Sequence, residues 1–175
     1  VSATFKYLFS DMGRIGNSRG ASSVAFDLGV LYKCEINDWE GAGWSVGLHV
    51  SNLGPKINYL TSKDALPATV KVGGAADLPF LQMHKLTLTA DLGYRLSPAD
   101  VQALRVSAGA EYAWRELVML RGGYHCGDKK KGDASYATAG AGVEYAGVRL
   151  DFAWLFAGHE YLARNTFWVS LGYSF

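Results

Sequence analysis

Thr166 to Phe175 reads T-F-W-V-S-L-G-Y-S-F. In an extended chain Phe167, Val169, Leu171, Tyr173 and Phe175 fall on one face, and Trp168, Ser170, Gly172 and Ser174 on the other. Strict alternation is the signal of a strand with one apolar face and one small or polar face. A tilted strand needs about ten residues to cross a bilayer, and this stretch has that length. A soluble edge strand could carry the same pattern, so the remaining strands have to decide between the two.

Composition bounds the answer without choosing. A chain of 175 residues suits one domain, and a net charge of +1 gives no reason to expect nucleic acid or an acidic partner. Gly is frequent at 21 residues, Pro scarce at 4, and aromatics reach 13%. No apolar run approaches about 18 residues, which excludes a transmembrane helix. A mean hydropathy of +0.03 suits strands that alternate apolar and polar residues, and it suits an ordinary soluble protein equally well. The sequence shows no initiator Met and no signal peptide, and Val1 already lies in a strand-like pattern. The expectation is a mature chain or one missing its N-terminal part. Cys34 and Cys126 are too few for a disulfide scaffold and fall at opposite ends of the layout below, so no bridge between them is expected.

Taken in order, the alternation predicts strands near Val1–Phe9, Ser23–Ile36, a third beginning at Gly43, then Ala68–Leu78, Lys85–Arg95, Leu104–Tyr112, Glu116–Tyr124, Tyr136–Tyr145, Val148–Phe156 and the closing stretch. Lys85–Arg95 is the clearest, setting Leu86, Leu88, Ala90, Leu92 and Tyr94 against Thr87, Thr89, Asp91 and Arg95. Compact turns are expected at Asn37–Gly41, Pro79–His84, Ala113–Arg115 and Ala146-Gly147. The stretch L-S-P-A-D-V-Q-A has room for a helical turn. Connections alternate long and short along about ten strands, the habit of outer-membrane barrels with short periplasmic turns and longer extracellular loops.

The ends of the apolar faces agree with that layout. Tyr32, Trp44, Tyr112, Tyr145 and Tyr173 would lie near the periplasmic interface, and Tyr94, Tyr124, Trp154 and Phe167 near the outer one. Two girdles of rings are expected where amphipathic side chains meet headgroups. The charged strand positions Asp27, Lys71, Asp77, Asp91, Arg95, Arg105, Glu111, Arg149 and Asp151 share the opposite face. On a lipid face Lys or Arg would cost roughly 2–4 kcal/mol at mid-membrane, so these residues are expected to line a lumen. A soluble sandwich would point its apolar faces inward and has no use for paired girdles. The fold class expected is all-β, a transmembrane antiparallel β-barrel in a single domain spanning residues 1–175.

Three stretches carry a family likeness: S-N-L-G-P-K-I-N-Y at Ser51–Tyr59, G-A-G-V-E-Y-A-G-V-R-L-D-F-A-W at Gly140–Trp154, and N-T-F-W-V-S-L-G-Y-S-F at Asn165–Phe175. Together they resemble the PorV/PorQ branch of FadL-like outer-membrane barrels, over the chain from about the second strand to its end. The resemblance implies a 14-stranded barrel, of which this chain would be the C-terminal part, lacking the earlier strands. A complete ten-stranded barrel is the alternative, because an open sheet in lipid would leave unpaired edges. The resemblance also implies a place in the outer membrane of a Gram-negative bacterium of the Bacteroidetes, in type IX secretion. There such proteins receive cargo by its C-terminal signal domain and dock on a large translocon barrel. The broader FadL relatives imply transport of hydrophobic molecules such as long-chain fatty acids. Tyr173 and the terminal Phe175 resemble the C-terminal signal by which such barrels assemble.

No enzyme motif occurs: there is no G-x-S-x-G, no P-loop and no H-E-x-x-H. His125, Cys126 and Asp128 do not reach the four ligands of a structural zinc site, and His125, Asp128, Asp133, His159 and Glu160 at the outer rim read as solvated loop residues. The chain is expected to have no catalytic residues, no metal and no cofactor. His49 reads as a hydrogen-bonded lumen residue, and Leu117, Met119 and Leu155 are the sizeable apolar residues placed inward. Partner binding is expected on the loops Asp11–Ser22, Gly54–Pro67 and His125–Ser135. The residues singled out are Arg14, Asn17, Arg19, Lys56, Tyr59, Lys63, Lys129, Lys130, Lys131 and Tyr161. The three consecutive lysines would suit lipopolysaccharide phosphates or an acidic partner. Outer-membrane lipid, secreted cargo and a translocon barrel are the partners expected.

Overall fold

The computed structural model describes residues 1–10, 21–58, 63–158 and 165–174. Among these residues there are twelve strands: β1 Ser2–Ser10, β2 Ala21–Glu35, β3 Gly43–Leu53, β4 Ile57–Asn58, β5 Lys63–Asp64, β6 Thr69–Phe80, β7 His84–Arg95, β8 Leu104–Trp114, β9 Val118–Cys126, β10 Tyr136–Tyr145, β11 Val148–Ala157 and β12 Phe167–Tyr173. Ten of them form one antiparallel sheet in the order β1-β2-β3-β6-β7-β8-β9-β10-β11-β12, and β4 pairs with β5 alone. Each strand of the sheet lies beside its neighbour in sequence, as tight turns between alternating segments dictate. No ladder joins β1 to β12 among the described residues.

The ladders carry the alternation of each strand across the whole sheet, because directly opposed residues share a face. Asp77, Thr87, Glu111, Arg121, Gly140, Ala153 and Trp168 form one row of the polar face. Leu48, Val72, Leu92, Val106 and Cys126 form one row of the apolar face. Phe5 meets Phe26 at 5.3 Å and Tyr32 meets Trp44 at 5.6 Å between ring centroids. Cross-strand pairs of this kind contribute roughly 0.2–1 kcal/mol each. Phe152, Trp154, Phe156 and Phe167 gather at the other end of the apolar face, with Trp154 and Phe156 stacked 5.8 Å apart. Both aromatic ends expected from the sequence are present.

The polar face is held by ion pairs. Arg121 reaches Glu111 and Asp151 at 2.5 Å, and Arg149 reaches Asp151 at 2.7 Å and Glu144 at 3.6 Å. Lys85 pairs with Asp77 at 3.0 Å, and the same carboxylate accepts from the Thr87 hydroxyl at 2.7 Å. Met119 and Leu155 are buried on this face, as their alternation predicts. Cys34 and Cys126 are free; each lies near the close of its own strand, Cys34 at the short-turn end of the sheet and Cys126 at the long-connection end.

Two turns differ from expectation. Pro79 and Phe80 stay in β6, and Ala113 and Trp114 stay in β8, so the chain reverses at Leu81–Met83 and at Arg115–Leu117. Leu81 and Gln82 adopt φ of 51° and 57°, and Arg115 and Glu116 adopt 52° and 59°. Such left-handed pairs normally call for Asn or Gly, which is why nothing in these residues marks the tip. Ala146-Gly147 makes the expected two-residue hairpin, and Ala99–Val101 forms the short helical turn. Replacing Leu81-Gln82 by Asn-Gly removes two L-residues from the left-handed region. It is expected to stabilise the protein by about 1 kcal/mol. A shift of the urea midpoint without a change in slope would check it.

Candidate interaction surfaces

Long connections gather at one end of the sheet and short turns at the other. The first described long connection, between β3 and β6, begins at a corner built on Asn52. This residue has φ of 57°, and its backbone N–H donates to Asp27 Oδ1 at 2.8 Å. Its side-chain oxygen accepts from Lys6 Nζ at 3.2 Å, and its amide nitrogen donates to the Pro67 carbonyl at 3.2 Å. Lys6 in turn pairs with Asp27 at 2.5 Å. One asparagine therefore ties β1, β2 and both ends of the 54–67 connection together. Ser23 adds a bond from its hydroxyl to the Pro55 carbonyl at 3.1 Å, and Leu66 is buried beneath the connection. Within it Lys56 is exposed, and Lys63 opens β5 opposite Asn58.

The connection between β9 and β10 folds back over the polar face. Asp133 lies 2.5 Å from Arg105 Nε and 3.5 Å from His125 Nε2. His125 is held from its other side by the Ser107 hydroxyl at 3.0 Å and stacks on Tyr136 at 4.8 Å. Lys129–Lys131 form a 3-10 turn capped by Asp128, whose side chain accepts from the Lys130 backbone. Lys129 and Lys130 are exposed, whereas the Lys131 ammonium donates to the Gln102 carbonyl. The three lysines thus part company: two face solvent and one closes the loop.

A third feature is a bay of about 590 Å³ on the polar face of β2, β3, β6 and β7. Its walls include Leu31, Gly47, Gly73 and Ala75, with His49, Lys71 and Asp91 around them. The register explains the hollow. His49 opposes Gly29, Gly47 opposes Gly73, and Lys71 opposes Gly93, so small residues recur where neighbouring strands bring side chains together. Among the described residues no hydrogen bond or ion pair engages the Lys71 or Asp91 side chain, in contrast to the pairs at either end of the sheet.

Of the residues singled out from the sequence, Lys56, Lys63, Lys129, Lys130 and Lys131 all lie at the long-connection end. Tyr173 ends β12, exposed on the apolar face opposite Val148. Arg14, Asn17, Arg19, Tyr59, Tyr161 and Phe175 lie outside the described residues, as does most of the 11–22 loop. Sequence reasoning missed the bay and the Arg105–Asp133–His125 cluster. The period of two places Arg105 on the polar face, but the sequence puts His125 in a loop, whereas β9 runs on to Cys126, and nothing local shows that Asp133 returns to them. The short-turn end presents Trp39, Leu81, Met83 and Trp114, all exposed, with Arg115 over the Trp114 ring at 5.5 Å.

A family model described as type IX secretion system protein PorV matches residues 1–102. The matched range holds β1 to β7 and includes Ser51–Tyr59, while Gly140–Trp154 and Asn165–Phe175 lie beyond it. No curated protein matches the chain.

Proposed function

The chain belongs to the PorV family of type IX secretion system proteins, and from that premise we propose that it works as an outer-membrane β-barrel binding secreted cargo, the translocon or both. Membership makes it a component of that secretion machinery; the membrane, the barrel and the partners are the proposal. Further strands along the open edges of β1 and β12 would complete the barrel, with residues 1–175 forming part of a single domain. The long connections, led by Lys56, Lys63, Lys129 and Lys130, would meet cargo C-terminal domains or a translocon barrel. Arg14, Asn17, Arg19, Tyr59 and Tyr161 belong to the same proposal, and no catalytic step is assigned to the chain.

One observation carries the membrane reading. Phe26, Leu48, Leu92, Leu120 and Leu150 are each about half exposed and share a face on which no second layer packs among the described residues. The described residues contain no large side chain that is fully buried. An apolar face of this extent needs a cover, and lipid is the one that asks for no further protein layer. Purification of the full-length protein from native membranes in mild detergent tests the partners. A very large barrel or secreted proteins sharing a C-terminal domain are expected to come with it. Recovery of the protein alone would defeat the secretion-binding role.

The bay favours a second reading, transport of hydrophobic small molecules. It is lined mainly by apolar atoms, with Lys71 and His49 placed to meet an acidic headgroup. Mass spectrometry of the organic extract of the same preparation decides: stoichiometric long-chain acids would support transport, and their absence would remove it.

A further inference from the structure

The connection from Gly127 to Ser135 is fastened to Arg105 of β8, to His125 of β9 and to Gln102 ahead of β8, and it is closed at its own base. Asp133 is held between Arg105 and His125, and these three side chains are only 15%, 22% and 14% exposed. His125 cannot swing away freely, because Ser107 bonds its Nδ1 and Tyr136 stacks on its ring. Lys131 is bound to the Gln102 carbonyl, and Gln102 is itself fixed by donating to the Leu96 carbonyl at 2.9 Å. Ser135 accepts from the Gly127 backbone N–H at 3.2 Å and closes the base of the loop. Gly127 is required there, since a Cβ would lie 2.6 Å from the Asp133 carbonyl oxygen and 2.7 Å from its carboxyl carbon.

Arg105, Ser107 and His125 belong to the polar face, whereas the strand ends leave ample solvent in which a loop of this polarity could extend. We propose that residues 127–135 form a latch closing the polar face at the long-connection end, with the Asp133 carboxylate seated between Arg105 and His125 as its catch. An ion pair holds a loop only while both charges stay paired, so displacing the carboxylate removes the attachment to both β8 and β9 and leaves the segment tied at Gln102 and at its own base. The row of the polar face next to Ser107, His125 and Tyr136 is small and neutral: Thr89, Gly109, Gly123 and Thr138. Opening it exposes that row from the long-connection end. Access along the polar face from this side is therefore set by the seating of Asp133.

A thiol placed in that row reads the state of the latch. In full-length protein with Cys34, Cys126 and any cysteine outside residues 1–175 replaced by Ser, Thr138→Cys is the single site for a water-soluble maleimide. Asp133→Asn and Arg105→Gln are each expected to speed labelling about tenfold by raising the open population. Restoring opposite charge with the swap Arg105→Asp plus Asp133→Arg is expected to slow it again. The heat-dependent shift in gel mobility shown by a folded barrel reports that each variant has assembled. Equal labelling of the parent and both single variants would overturn the latch, as would a swap that labels as fast as either. Should the variants fail to assemble, hydrogen exchange on the unaltered protein decides. Protection across 130–135 is expected, and exchange at the rate of a free peptide would overturn it.

Discussion

Arginine at Ala90 is expected to cost about 2–4 kcal/mol of stability in a phospholipid bilayer, and arginine at the adjacent Thr89 less than about 1 kcal/mol. The two residues occupy the middle of β7 and face opposite ways. Ala90 is flanked by Gly74 and Ala108 on the apolar face, so a long side chain meets no steric bar there and only its charge is tested. Thr89 lies between Ala75 and Gly109 on the polar face, two residues from Asp91, which leaves a new cation both space and an opposite charge. Reversible urea unfolding in vesicles, followed by the fluorescence of the five tryptophans, measures both. Equal costs at the two positions would show that lipid does not cover the apolar face. A large cost at Thr89 with none at Ala90 would invert the assignment of the faces.

The same pair of residues shows what a sequence can and cannot disclose about this fold. Alternation along Lys85–Arg95 separates Leu88 and Ala90 from Thr87 and Thr89 without any knowledge of neighbours, because the strand period is two. Antiparallel pairing of sequential strands then follows from the short turns, and with it the shared face of Asp77, Glu111, Arg121 and Asp151. Turn tips were less legible. Leu81-Gln82 and Arg115-Glu116 hold left-handed backbone with side chains that carry no such signal, so the strands run farther than their composition suggests. The β4–β5 ladder is two residues long on each side, too short to establish a period. The bay is harder still. It is made of side chains that are missing, and Gly29, Gly47 and Gly73 become one hollow only once register sets them side by side. Register across four strands is not encoded in any one of them. The catch at Asp133 fails for the related reason that a loop residue has no period at all, and its partners come from β8 and β9.

Gly54 is the residue of the Ser51–Tyr59 stretch whose replacement should do most damage. A Cβ at this position would stand 2.1 Å from the Val24 carbonyl oxygen, 2.9 Å from Leu66 Cδ1 and 3.2 Å from Ala25 Cα. Leu66 could rotate, but the other two atoms are backbone of β2, whose pairing with β1 and β3 fixes them. Relief would require the 54–67 connection to lift off the strand. That movement threatens the bond from Ser23 to Pro55 and the Asn52 corner, which joins Lys6, Asp27 and Pro67. Gly54→Ala is therefore expected to cost about 3 kcal/mol or more, the range reached when overpacking meets unyielding backbone. Gly122→Ala serves as the counterpart in β9, because its Cβ would meet nothing within 4 Å. It should be neutral or stabilising by about 0.4–1 kcal/mol through the lost freedom of the unfolded chain. Both are read from urea midpoints in the same vesicles. A Gly54→Ala protein as stable as Gly122→Ala would mean that the connection does not rest on β2, and the likeness of this stretch to its family would then need a reason other than the corner it builds.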